Sequence, residues 1–101
     1  MKLNALCAAA DIAAPAGADV NVTGFAIDHR KVAPGTVFGA FKGAKFNGED
    51  YIAAAIEAGA VAIVASPEAK VEGAIHFAAE EPRPLFARLA APFYQPVPET
   101  L

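Results

Sequence analysis

Cysteine is almost missing from this 101-residue chain, with Cys7 the only one. A single thiol forms no intramolecular disulfide, which fits a reducing compartment. Cys7 lies between Leu6 and Ala8 and reads as a small core residue rather than a nucleophile. Histidine is nearly as scarce: His29 and His76 stand far apart, with no Cys or His at ligand spacing, so no metal site is predicted. His76 sits in an apolar stretch and reads as structural. Positive charge is in deficit, and a formal net charge of −3 leaves no basic stripe for nucleic acid.

Long apolar runs are lacking as well. AIEAGAVAIVAS carries Glu57 and small-residue breaks, and is too short and polar to span a membrane. The N-terminal MKLNALCAAAD is interrupted by Asn4 and Asp11, while Leu3, Leu6, Cys7 and Ala10 share one helical face, so it reads as a first helix rather than a secretion signal. A soluble, cytoplasmic protein is the expectation, with neither nucleic acid nor membrane as partner. Neither a GxxxxGK phosphate loop nor a serine nucleophile elbow appears. The adjacent pairs Glu49–Asp50 and Glu80–Glu81 sit where helix starts attract acids. No catalytic residue is predicted within the chain.

What is present is a foldable α/β pattern. Hydrophobic residues make up 55% and charged residues 19%, which predicts one folded domain. Alanine supplies much of the apolar content, so close packing of helix on sheet is expected. VNVTGFAID reads as a strand ending at Asp28, with Val20, Val22 and Gly24 on one face. Pro34-Gly35 has the order of a type II turn, and TVFGAF follows as a strand covered on both faces. EDYIAAAIEAGA gives a helix with Ile52, Ala55 and Ile56 inward and Gly59 as its stop. VAIVAS and AIHFAA are further strands, and EPRPLFARLAAPFYQP is a last helix burying Leu85, Phe86, Leu89 and Phe93. The predicted fold is a single α/β domain with a small mixed, partly parallel β-sheet flanked by helices.

The polar residues concentrate between Ile27 and Ile52. In α/β sheets ligands sit beyond the carboxyl ends of strands, which is where DHR and KGAKFNG fall if their strands run parallel. Gly43 and Gly48 let backbone N–H groups approach a ligand, and the helix start near Glu49 adds partial positive charge. Phe46 offers a face to a ring, and Arg30 and Lys45, with Lys42 beside them, can meet phosphate oxygens. On the residues alone two readings stand: a nucleotide or anion site, or a solvated, glycine-rich loop with Asn47 as helix cap.

The run DHRKVAPGTVFGAFKGAKFNGEDYIAAAIEAGAVAIV resembles the signature of the amino-terminal domain of Mur ligases. In that signature Asp, a small hydroxyl residue and Arg precede a Pro-Gly turn, a short strand, a Gly-rich loop and an alanine-rich helix. The ending LARLAAPFYQPVPETL resembles the lead-in of the member that adds the third peptide residue, more than that of the member adding D-Ala-D-Ala. The resemblance implies a domain, residues 1–101, that binds the UDP end of UDP-N-acetylmuramoyl-dipeptide. The central ATPase domain, a partner of this one, and a C-terminal domain would lie outside the chain. It also implies an amide ligase using ATP and Mg2+ in the full-length enzyme, with no cofactor in this portion. Carried over by position, Ile27, His29, Ala44, Lys45 and Phe46 become substrate contacts. Asp28, Arg30, Lys42, Gly43, Asn47 and Gly48 support them, and Pro34 and Gly35 form the turn.

The chain departs from the pattern twice. His29 stands where the family has a small hydroxyl residue, and its ring either bonds a diphosphate or uracil or turns outward. Asn47-Gly48-Glu49 replaces Asp-Gly-His, keeping turn and cap but losing an imidazole. A ligase of the D-Ala-D-Ala-adding type and a non-enzymatic protein-binding module are the alternatives.

Overall fold

The computed structural model describes residues 1–42 and 47–94. Within them run α1 (Leu3–Ala9), β1 (Gly24–Ala26), a 3-10 turn η1 (His29–Lys31), β2 (Thr36–Gly39), a 3-10 turn η2 (Gly48–Tyr51), α2 (Ile52–Glu57), β3 (Ala62–Ala65), β4 (Ile75–Ala78) and α3 (Pro82–Tyr94). The strands form one sheet in the order β1-β2-β3-β4. All three pairings are parallel, so the sheet expected to be mixed is parallel throughout its described strands. Parallel neighbours need a crossover. The β1–β2 crossover carries only η1, and the β3–β4 crossover has no named element. Such short connections resemble those between antiparallel strands.

Alternation along the central strands builds a core on each face of the sheet. Val37, Ala62 and Val64 point to one side, where they meet Leu3, Leu6 and Cys7 of α1 and Leu89 of α3. Phe38, Ile63 and Ala65 point to the other and meet Ile52 and Ala55 of α2. Every residue of β2 and β3 is buried, whereas β1 is only half covered, as befits an edge. Removing a side chain such as Leu89 from water contributes about 1.5–3 kcal/mol. Cys7 is fully buried and its thiol is pushed up in pKa by desolvation, in keeping with a packing role.

The strand predicted from Val20 starts later, at Gly24. Residues 20–22 instead run beside the N-terminus: Leu3 N–H donates to Val20 O at 2.9 Å, and Val22 N–H donates to Met1 O at 2.7 Å. The predicted helix after Asn47 opens as η2 and becomes α-helical only at Ile52. Leu89 of α3 is buried, and Leu85, Phe86 and Phe93 pack partly buried around the same core. Gln95–Leu101, including the expected helix end near Pro96, lie outside the described residues.

Two glycines fasten the β1–β2 crossover. Thr36 N–H donates to Ala33 O across Pro34-Gly35 at 3.1 Å, and Gly35 has φ +93°, the geometry of the predicted type II turn. Gly35 N–H donates to Gly59 O at 2.9 Å. Gly59, with φ +115°, lies so close to the turn that a Cβ would fall 2.5 Å from Pro34 Cα. The helix stop and the turn are thus one packed unit.

Candidate functional site

The carboxyl ends of the parallel strands bear two separate cavities. The first, about 490 Å³, is lined by Ile27, Asp28, His29, Arg30 and Tyr51 at the end of β1. Asp28 leaves the strand with extended backbone and caps η1, its carboxylate accepting from Arg30 N–H at 3.0 Å. The Arg30 guanidinium closes the same turn through Nε to Oδ1 at 3.0 Å and Nη2 to Oδ2 at 2.9 Å. This fork-on-carboxylate pairing fixes both groups. The Arg30 side-chain bond, then its backbone N–H, hold the Asp28 carboxyl down at about 2. Ile27 is 53% exposed, a large apolar side chain left open at the strand end. The His29 ring lies flat on Tyr51, with centroids 4.2 Å apart and planes 10° from parallel.

The second cavity, about 450 Å³, spans the ends of β2, β3 and β4 and the start of α3. Phe41 and Lys42 line it, with Glu49, Ser66, Glu68, Glu80 and Arg83 among its other walls. The Ser66 hydroxyl donates to Glu49 Oε2, and Lys42 Nζ stands 4.0 Å from Glu49 Oε1. Arg83 lies over the Phe41 ring, 4.7 Å from its centroid. His76 reaches Ser66 O from β4 at 3.1 Å, the structural role predicted for it.

The sequence-predicted residues therefore divide. Ile27, Asp28, His29 and Arg30 come together, while Lys42 belongs to the second cavity. Asn47 caps η2 as expected, accepting from Glu49 N–H at 3.0 Å. A Lys42–Asn47 bridge and the bond from Gly48 N–H to Phe41 O, 2.7 Å, join the end of β2 to the start of η2. Gly43, Ala44, Lys45 and Phe46 lie outside the described residues. Tyr51 was missed as a site residue. Its only signal is an aromatic at a helix start, and the 3-10 turn there brings it under His29. Among the described residues no three His, Cys, Asp or Glu side chains gather for a metal, and no helix is long and apolar enough to cross a membrane.

Comparison with known proteins gives the relatives. Residues 21–94 match the family described as "Mur ligase family, catalytic domain". The chain is 62% identical over 87 residues to the UDP-N-acetylmuramoyl-L-alanyl-D-glutamate–2,6-diaminopimelate ligase of Zymomonas mobilis, covering 86% of this chain and 18% of that protein. It is 40% identical over 101 residues to the ligase of the same name from Bradyrhizobium diazoefficiens, covering 100% of this chain and 21% of the relative. Among solved structures, MurF ligase from Thermotoga maritima in complex with ADP matches with a TM-score of 0.57 and 35% identity, over 65% of this chain and 15% of that one. The chain thus spans about a fifth of the length of these curated relatives.

Proposed function

This chain belongs to the Mur ligase family, and from that premise we propose that residues 1–101 are the amino-terminal domain that holds the UDP moiety of UDP-N-acetylmuramoyl-L-Ala-D-Glu for an ATP-dependent, cytoplasmic ligase of peptidoglycan precursor synthesis. The ligase would join diaminopimelate to the dipeptide carboxylate as third residue. The observation carrying this reading is the cavity at the carboxyl end of β1, where Ile27, His29 and Arg30 converge. The 62% identity to a relative named for that reaction supports the choice of substrate. Ile27 offers an apolar face to a base, and the His29 imidazole and the positive charge of Arg30 stand beside it, the mixture of apolar and polar groups that a nucleoside diphosphate requires. Ala44, Lys45 and Phe46 are proposed as further contacts, with Asp28, Lys42, Gly43, Asn47 and Gly48 in support. A D-Ala-D-Ala-adding ligase is the second reading, favoured by the 35% identity to MurF of Thermotoga maritima.

The described residues do not themselves fit ATP and Mg2+. The one long helix start at the sheet's carboxyl edge carries Pro82 and Pro84, which lack N–H donors, and faces Glu68, Glu80 and Glu81. No metal-binding cluster forms among the described residues. The proposed task of this portion is to bind and orient substrate, with ATP chemistry falling to other parts of the protein.

Adding UDP to the isotope-labelled chain is expected to move the amide resonances of Ile27 to Arg30, Tyr51 and Ala44 to Phe46. Shifts centred on Ser66, Glu68 and Arg83, or no response at millimolar UDP, would overturn the assignment.

A further inference from the structure

Among the described residues one buried side-chain polar atom has no hydrogen-bond partner, and it lies in this site: Nδ1 of His29. Buried polar atoms in folded proteins are nearly always paired, so an orphan calls for a physical reason. The imidazole is held flat by the Tyr51 ring, and its side chain as a whole remains 26% exposed. The burial is therefore one-sided: Nδ1 is inward, while the side chain lines the cavity.

Asp28 Oδ1 lies 4.0 Å from Nδ1. That is too long for a hydrogen bond but close enough to decide the tautomer. A proton on Nδ1 faces the carboxylate favourably, whereas a lone pair there would face it unfavourably. Asp28 cannot turn away, because the Arg30 guanidinium and backbone N–H hold both its oxygens. Among the described residues, the titratable and charged groups that line this cavity with the ring are Asp28 and Arg30 of its own turn and Tyr51 of η2. Glu49 is engaged with Ser66 and Lys42 in the other cavity, and Glu57 of α2 is exposed beside Lys70 and Glu72.

Resting on the site assignment above, we propose that His29 is the proton-dependent contact of this cavity. Asp28 keeps the proton on Nδ1, Nε2 faces the ligand, and uptake of a second proton from solvent turns Nε2 from acceptor into a charged donor. An imidazolium beside Arg30 meets an anionic diphosphate, so affinity rises as pH falls. No bond forms other than the new Nε2–H.

The test uses the whole chain and UDP-N-acetylglucosamine, whose diphosphate is esterified at both ends and so holds its charge across the range. Wild-type affinity, read by calorimetry, is expected to rise roughly fivefold to tenfold between about pH 8.5 and about pH 5.5. His29→Gln keeps a planar uncharged group on Tyr51, and His29→Ser supplies a compact hydroxyl. In both the profile should flatten, with affinity at low pH falling to the level wild type shows at high pH. Ring nitrogen shifts of the free protein at the high-pH end are expected to show the proton on Nδ1. A proton on Nε2 in that spectrum, a flat wild-type profile, or a slope surviving in both variants overturns the proposal. Absence of binding at every pH by wild type, with the spectrum dispersed, overturns the site assignment beneath it instead.

Discussion

Two cavities share the carboxyl edge of one parallel sheet, yet they suit opposite charges. The β1 cavity takes its walls from consecutive residues, Ile27 to Arg30, with Tyr51 closing it. Its carboxylate, Asp28, is already neutralised by Arg30, so the imidazole and the apolar face of Ile27 remain for a ligand. The second cavity collects Glu49, Glu68, Glu80 and Glu81 against Lys42 and Arg83. Glu68 is kept ionised by its own backbone N–H, which holds its carboxyl below the ordinary range. Prolines at Pro82 and Pro84 remove the donors that would make the start of α3 attractive to phosphate. The strand-end rule thus points to an edge, and the local charge distinguishes the part of that edge better suited to an anion.

The largest expected effect comes from the support behind the β1 cavity. In Gly59→Ala the new Cβ would lie 2.5 Å from Pro34 Cα, in a backbone conformation unfavourable for alanine. We expect a loss of about 3 kcal/mol in urea denaturation, from overpacking and backbone strain together. Gly17→Ala is the control, since Gly17 has φ +83° but open space around it; about 1 kcal/mol is expected there. Equal losses at the two sites would mean that the turn and helix stop do not form one unit. Because that unit carries η1, weakened UDP binding should accompany the Gly59 change.

The same contrast explains what was legible in the sequence. Contiguous features were readable: Leu3, Leu6 and Cys7 as one helical face, Pro34-Gly35 as a turn, Gly59 as a stop, Asp28 to Arg30 as a strand end. Each follows from a local rule acting on neighbours in the chain. The stacking of His29 on Tyr51 was not, because it depends on η2 forming as a 3-10 turn before α2 begins. The second cavity was invisible for a related reason. Phe41, Ser66 and Glu80 reach it from three separate strand ends and Arg83 from the start of α3, and no spacing announces that. Parallel order was only half readable, since crossovers as short as those at 27–35 and 66–74 carry no full helix to advertise them.

Substituting one arginine in each cavity sharpens the charge argument. Arg30→Ala frees Asp28, leaving an unpaired carboxylate where the diphosphate would lie. We expect roughly tenfold weaker binding of UDP-N-acetylglucosamine, about 1.4 kcal/mol. Arg83→Ala removes the contact over Phe41, for about 0.5–1 kcal/mol of stability, and should change that affinity by less than about twofold. A larger affinity loss at Arg83 would reverse the assignment of the two cavities.

The smallest effect is an acid one, and its sign follows from Asp28. The folded pKa of about 2 lies below the ordinary 3.8, so the turn's contribution is complete above about 3.8 and is lost as pH falls through about 2. The pair is open to solvent, which screens it, so the consequence is local order in η1 and little change in global stability. Following the Asp28 carboxyl carbon by NMR should give a midpoint near 2. The Arg30 amide should shift with the same midpoint, because its N–H donates to that carboxylate. In Arg30→Ala the principal cause of the depression is removed, and the midpoint should climb toward 3.8. A wild-type midpoint already near 3.8 would mean that the fork is not formed in solution. Asp28 would then compete with a diphosphate for His29, and the distinction between the two cavities would narrow.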